Sequence, residues 1–160
     1  MFEFIDEQYY DPSEDGYTHI NAYSKGKTEL GRMLSNFYYS PFTYENYGKF
    51  NSVEGFYYWY LTGQKHDDLR LLSGAKAKDK GKLYNKDRTE HLLSDDTIEV
   101  MQGAIICKIA QNNNIKTSLL QSTLVITHYY VYYGRVIPVE REHQWFSDTL
   151  NQIREMLKHV

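Results

Sequence analysis

The stretch from Lys25 to Leu61, KGKTELGRMLSNFYYSPFTYENYGKFNSVEGFYYWYL, organises this chain. Its last part, NSVEGFYYWYL (Asn51–Leu61), sets a single acid, Glu54, among glycine and aromatics. Ser52 suits a helix N-cap, because its hydroxyl can accept from the orphan N–H groups of the first turn. The helix it starts closes near Gly63 and carries Glu54 in its first turn. The helix dipole favours a carboxylate there, so Glu54 is expected to stay ionised readily. Two roles stay open for it. It can simply complete the helix start, as most first-turn acids do. It can also act as general base, nucleophile or electrostatic stabiliser of a cation. Upstream lies GRMLSNF (Gly31–Phe37), and Pro41, Asn46 and Gly48 mark a loop or short hairpin between the two signatures.

Around this stretch the chain reads as short strands and several helices. Residues 1–16 form an acidic, irregular lead with a short strand at Phe2–Ile5. Thr18–Tyr23 alternates as a strand does. Ser24–Leu30 (SKGKTEL) reads as a turn whose lysines and N–H groups suit an anion, though it lacks the Walker A spacing. Asp67–Leu72 opens another helix. Ser73–Lys82 (SGAKAKDKGK) is a helix or turn in which Lys76, Lys78, Lys80 and Lys82 either grip a diphosphate or form a solvated basic face. Leu83–Leu93 connects. Ser94-Asp95-Asp96 caps a long helix over Thr97 to about Gln111, with Ile98, Met101, Ile105 and Ile109 facing the core. Ile115–Gln121 is a short helix, Leu124–Ile126 a strand, and HYYVYYGRV (His128–Val136) is β-prone up to Gly134. The last helix, Trp145–Lys158, puts Phe146, Leu150, Ile153 and Leu157 on one face.

A chain of 160 residues that is 41% hydrophobic suits one self-folding domain, here 17–160 behind the acidic lead. No apolar run approaches the roughly 20 residues of a membrane span, and the acidic N-terminus lacks the basic start of a secretory signal. Cys107 is the only cysteine, which excludes an internal disulfide or a cysteine-based zinc site and fits a reducing cytoplasm. Its apolar neighbours make it a small buried hydrophobe. Six acids and no Lys or Arg lie in residues 1–15, so the remainder carries 15 acids against 18 bases. That mildly basic body can face phosphates without the strong basicity of a committed nucleic-acid binder. The 16 tyrosines suit ring stacking and wet interfaces as well as the core. Scattered histidines exclude a zincin, and the nucleophile-elbow, dinucleotide-binding, kinase and zinc-deaminase patterns are missing. An acid among aromatics, a lysine-rich turn and a tyrosine-rich strand suit N-glycosidic cleavage. Its oxocarbenium ion is stabilised by a carboxylate while aromatics stack the base.

These residues resemble the NADAR family (NAD- and ADP-ribose-associated proteins) from about Ile20 to Leu157. The anchors are LSNF (Leu34–Phe37), Pro41-Phe42, SVEG (Ser52–Gly55), the spacing of Gly74, Ala77, Gly81 and Lys82, VMxxAxxxK (Val100–Lys108) and the late IREML. SKGKTELGR, SVEGFYYWYL and HYYVYYGRV look like a bacterial and phage-type branch. The resemblance implies an α-rich α+β fold, a single compact domain of several helices around short strands. It also implies an N-glycosidase that releases ADP-ribose from a nucleobase in DNA or RNA, guanine foremost, as an antitoxin or phage counter-defence in the cytoplasm of a bacterial cell. A non-catalytic module that sequesters ADP-ribose-like nucleotides, or a hydrolase of free NAD-derived nucleotides, is the alternative. Neither metal nor cofactor is implied.

By the same resemblance Glu54 is the catalytic acid, and Lys27, with Lys25, is the candidate for a Schiff base with an opened ribose. Arg32 and Asn36 are expected at ribose hydroxyls and phosphates, Lys78 and Lys82 at the diphosphate, and Tyr129, Tyr130 and Tyr133 around the base, with Lys25, Ser35, Tyr57 and His128 as further substrate-binding residues. Some positions depart from the better-known enterobacterial pattern. Gly55 and Leu61 stand where it has His and Lys, Leu93 where it has Trp, and Tyr130–Gly134 where it has Asp-x-x-Trp-Gly. These departures point away from the riboflavin-intermediate reaction of the family and leave Glu54 as its one clear acid.

Overall fold

A computed structural model describes residues 10–91, 94–139 and 143–160. The expected strand at Phe2–Ile5 and the departure at Leu93 lie outside these residues. The described chain is α+β and rich in helix, as expected, with six α-helices and three two-stranded sheets among the described residues. In order they are β1 (His19–Asn21), α1 (Glu29–Leu34), β2 (Phe42–Tyr44), β3 (Gly48–Phe50), α2 (Val53–Leu61), α3 (Gly74–Leu83), α4 (Asp95–Gln111), α5 (Asn113–Gln121), β4 (Val125–Thr127), β5 (Tyr129–Tyr132), β6 (Arg135–Pro138) and α6 (Trp145–Lys158).

Local chemistry starts the helices. The Ser52 hydroxyl accepts from the Gly55 N–H at 3.0 Å and the Ser94 hydroxyl from the Thr97 N–H at 3.2 Å, so both expected caps form. Helix α1 was not expected. Thr28 caps it by accepting from the Gly31 N–H at 2.9 Å, and six residues are too few to display a helical period. The expected helix at Asp67–Leu72 is a tighter 3-10 turn, Asp67–Leu71, and a second one at Asn85–Asp87 interrupts the expected connector. Residues 10–16 are not irregular. Pro12–Glu14 is a 3-10 turn capped by Asp11, and buried Asp15 accepts from the N–H groups of Asn21 and Lys27 at 3.0 and 2.9 Å.

Helix α2 packs on α3 and α4, and α4 also meets β2, α5 and α6. Phe50, Phe56, Leu61, Met101, Ile105, Ile109 and Leu150 form the dry interior. Cys107 is half-buried, and burial pushes its thiol up. Strands β1 and β4 pair in parallel, His19 opposite Val125. Two asparagine side chains extend this small sheet as extra rungs. Asn21 Nδ2 donates to the Tyr129 carbonyl and Asn21 Oδ1 accepts from the Tyr129 N–H, both at 2.9 Å. Asn151 on α6 does the same for Ile126, at 2.9 and 3.0 Å. Strands β5 and β6 form an antiparallel hairpin in which Tyr130 faces Ile137 and Tyr132 faces Arg135. No helix among the described residues is long and apolar enough to cross a membrane.

A candidate active site around Glu54

The two signatures named at the outset meet through the backbone: the Glu54 N–H donates to the Asn36 carbonyl at 2.9 Å. The Ser52 hydroxyl, while capping α2, donates to the Leu72 carbonyl at 2.8 Å. The start of α2 is therefore tied to the segments on both sides of it. Gly55 sits so close to the Leu69 and Leu72 carbonyls that any β-carbon would collide with Leu69. A histidine at this position, as in the resembled pattern, has no room. Leu61, at the position of the patterned lysine, is fully buried in the core.

Helix α3 reaches the same place through small residues. Ala77 is fully buried, and at Gly81 a β-carbon would strike the Tyr58 ring. This close approach, with the Gly74 N–H donating to the Phe37 carbonyl at 2.9 Å, puts Lys78 on the same cavity wall as Glu54, near enough to act on its carboxyl through charge. The lysine Nζ lies 6.0 Å from the centre of the Phe37 ring.

The result is a cavity of about 670 Å³ in which Glu54 is the only carboxylate among the described residues of its wall. Asn36, Ser35, Tyr57 and Lys78 stand on its α1–α2–α3 side, and Lys25 on the turn before α1. Tyr130 and His128 stand on the other side. Of the residues implied at sequence level, these eight converge. The others do not line the cavity. Lys27 is exposed, and its backbone N–H binds Asp15. Arg32 turns back to donate to the Gly26 carbonyl at 2.9 Å. Lys82 is exposed, one turn beyond Lys78, near enough to act on Glu54 through its charge. Tyr129 is a core residue whose hydroxyl meets His19 Nε2 at 2.6 Å, because the Asn21 rung turns β5 so that Tyr129 points inward. Tyr133 is 88% exposed at the tip of the β5–β6 hairpin. The sequence reading missed Tyr23, Tyr58, His143, Trp145 and Phe146 on the wall. The cluster HQWF at the start of α6 was the available signal, and the helical period assigned Phe146 to the core alone.

Electrostatics correct one expectation. Glu54 does not stay readily ionised: burial pushes its carboxyl from 4.5 up to about 7, against the pull of Lys78 and then Lys82. Desolvation outweighs the helix dipole here. Burial also pushes the Tyr57 hydroxyl up to about 12 and holds His128 below its ordinary value. His128 Nδ1 lies 2.7 Å from the Ala22 carbonyl, which can only accept. The proton therefore sits on Nδ1, and in the neutral ring Nε2 is a bare acceptor. Two buried polar atoms of wall residues, Asn36 Oδ1 and Trp145 Nε1, find no hydrogen-bond partner among the described residues.

Behind the wall, Lys108 is 1% exposed and its Nζ donates to the Ser35 carbonyl at 2.7 Å. Burial pushes its amine down to about 7. It holds the LSNF segment from inside and does not reach the cavity lining. No group of three His, Cys, Asp or Glu side chains placed to hold a metal occurs among the described residues. Comparison of the sequence with models of known protein families and with curated proteins gave no match.

Proposed function

We propose that this chain is an N-glycosidase of the NADAR type that releases ADP-ribose from a modified nucleobase, guanine foremost, by hydrolysis at the anomeric carbon. The observation that carries this reading is the placement of Glu54 as the lone carboxylate among the described residues of an aromatic-walled cavity, with Asn36 bonded to its backbone and Lys78 on the same wall. As the C1″–N bond breaks, its electron pair leaves with the base and positive charge builds on the ribose. The ionised Glu54 stabilises that charge and takes a proton from the water that adds to C1″; the departing base nitrogen gains a proton in turn. A carboxyl poised near neutrality can both accept and return this proton. Lys78 and Lys25 face the diphosphate, Asn36 the ribose hydroxyls, and Tyr57, Tyr130 and His128 the base. An antitoxin or counter-defence role against ADP-ribosylating toxins follows from that chemistry.

The test uses two oligonucleotides, one bearing ADP-ribose on guanine and one on thymine, each incubated with wild type and with Glu54→Gln, the products being weighed by mass spectrometry. Wild type is expected to release free ADP-ribose and restore the base, the guanine substrate reacting faster. Glu54→Gln is expected to lower kcat by about a thousandfold or more while still binding ADP-ribose. No release from either substrate would overturn the reading. Measurable ADP-ribose binding in that case would assign the cavity to sequestration instead.

A further inference from the structure

We infer that the outer face of the β5–β6 hairpin is a stacking platform for the single-stranded nucleic acid that flanks the modified base. The inference rests on the proposed function and extends it from the cavity to the strand beyond. The hairpin register carries the argument. Tyr130 and Ile137, opposite one another, both line the cavity. The next pair with the same facing, two residues further along each strand, is Tyr132 and Arg135. The wall of the cavity therefore continues outward without a break as an aromatic ring beside a guanidinium. Tyr132 is 63% exposed, and its ring centre lies 4.5 Å from that of Tyr133 in an edge-on arrangement.

The tip adds a second argument. Tyr133 and Gly134 form the two-residue turn with φ of 47° and 74°. Left-handed backbone is the region glycine and asparagine fill cheaply, and a bulky residue there is strained. The fold gains little in return, since the Tyr133 side chain is almost wholly in water. From His128 to Val139 the only charged residue is Arg135, a cation. Exposed rings with an interleaved cation, continuous with a pocket sized for one modified nucleotide, match what an unpaired strand needs. Bases stack on ring faces without regard to sequence, and phosphates meet the cation. A duplex keeps its bases stacked on each other and offers no ring face to Tyr132.

The experiment compares wild type, Tyr132→Ala and Arg135→Ala on two substrates. One is ADP-ribosylated guanosine as a lone nucleoside; the other carries the same group within a single strand of about a dozen nucleotides. Wild type is expected to show kcat/KM about tenfold higher on the strand. Both variants should lose that preference and keep the wild-type rate on the nucleoside. An unmodified, fluorescently labelled strand supplies a second readout by anisotropy: wild type should bind it more tightly than the matching duplex, and the variants about tenfold more weakly than wild type. Equal rates of wild type on strand and nucleoside, or a preference retained in Tyr132→Ala, would overturn the inference. So would sedimentation showing a wild-type dimer that Tyr132→Ala splits, because a second copy would then own the face. If wild type hydrolyses neither substrate, the proposed function fails, and the anisotropy comparison still decides for or against the platform.

Discussion

The cavity has two unlike walls. The α1–α2–α3 wall is bound together by backbone: Glu54 N–H to the Asn36 carbonyl, Gly74 N–H to the Phe37 carbonyl, and glycines 55 and 81 pressed against carbonyls and a ring. The facing wall combines the start of α6 with a two-stranded hairpin, which is joined to the body by the Asn21 rung, by the His128 bond to Ala22 and by ring contacts such as Tyr23 edge-on to Tyr130. The first wall holds Glu54 and Lys78 at fixed positions, and the second offers exposed rings on a light support. Chemistry needs sub-ångström placement, whereas stacking tolerates small shifts. Under the proposed function, a division of labour follows from what each wall is made of.

Glycine 55 offers the sharpest way to break that contrast. Gly55→Ala forces a methyl against the Leu69 carbonyl and is expected to destabilise by roughly 3 kcal/mol, as overpacked interiors do. Urea unfolding measures it, and a loss under 0.5 kcal/mol would show that this wall is looser than its contacts imply.

An effect of similar size and opposite sign comes from Glu54 itself. Its folded-state value lies above the unfolded one, so below about pH 4.5 the carboxyl is protonated in both states and costs nothing. Between about 4.5 and about 7 the unfolded chain ionises first and binds fewer protons than the folded one, so stability falls as pH rises. Above about 7 the cost is complete. Glu54→Gln removes it and should be roughly 3 kcal/mol more stable than wild type at pH 8, with the two nearly alike near pH 4.5. Paired denaturation curves at the two pH values check this, and an equal offset at both would assign the effect to packing.

Lys78→Gln should weaken ADP-ribose binding about tenfold by calorimetry and move the midpoint of the pH–rate profile upward, since the lysine pulls Glu54 down. Least of all, Tyr132→Ala should change stability by under about 0.5 kcal/mol, because its side chain supports no described core contact. A larger loss would make the hairpin structural and erase the contrast between the walls.

Much of this was legible in the sequence because the signals were local. Ser52 and Ser94 announced α2 and α4, the apolar period announced α6, and Asn36 and Glu54 sat inside their own short motifs. What failed depended on distance. Tyr129 and Tyr130 are neighbours in HYYVYY, and alternation cannot say which one turns inward. Asn21, 108 residues away, decides it by bonding the Tyr129 backbone. Composition alone did not separate Lys78 from Lys76 or Lys80; the resemblance picked it together with Lys82, and the packing of α3 on α2 puts Lys78, not Lys82, on the cavity wall. The raised carboxyl of Glu54 reflects burial by segments that the motif does not contain. Trp145 read only as the first residue of a helix, although it stands in the local cluster HQWF.

The parallel pairing of β1 with β4 has a consequence for the making of the protein. His19 leaves the ribosome more than a hundred residues before Val125, its partner. Closing so long a loop costs roughly 4 kcal/mol in chain entropy before the pairing repays any of it. The carboxylate and the lysine are synthesised early, yet the histidine, tyrosine and tryptophan opposite them come last. A nascent chain stopped before β4 carries Glu54 in an open trough, with water where the second wall should stand. The proposed activity would therefore arrive late in synthesis, once the hairpin and the final helix have closed the cavity.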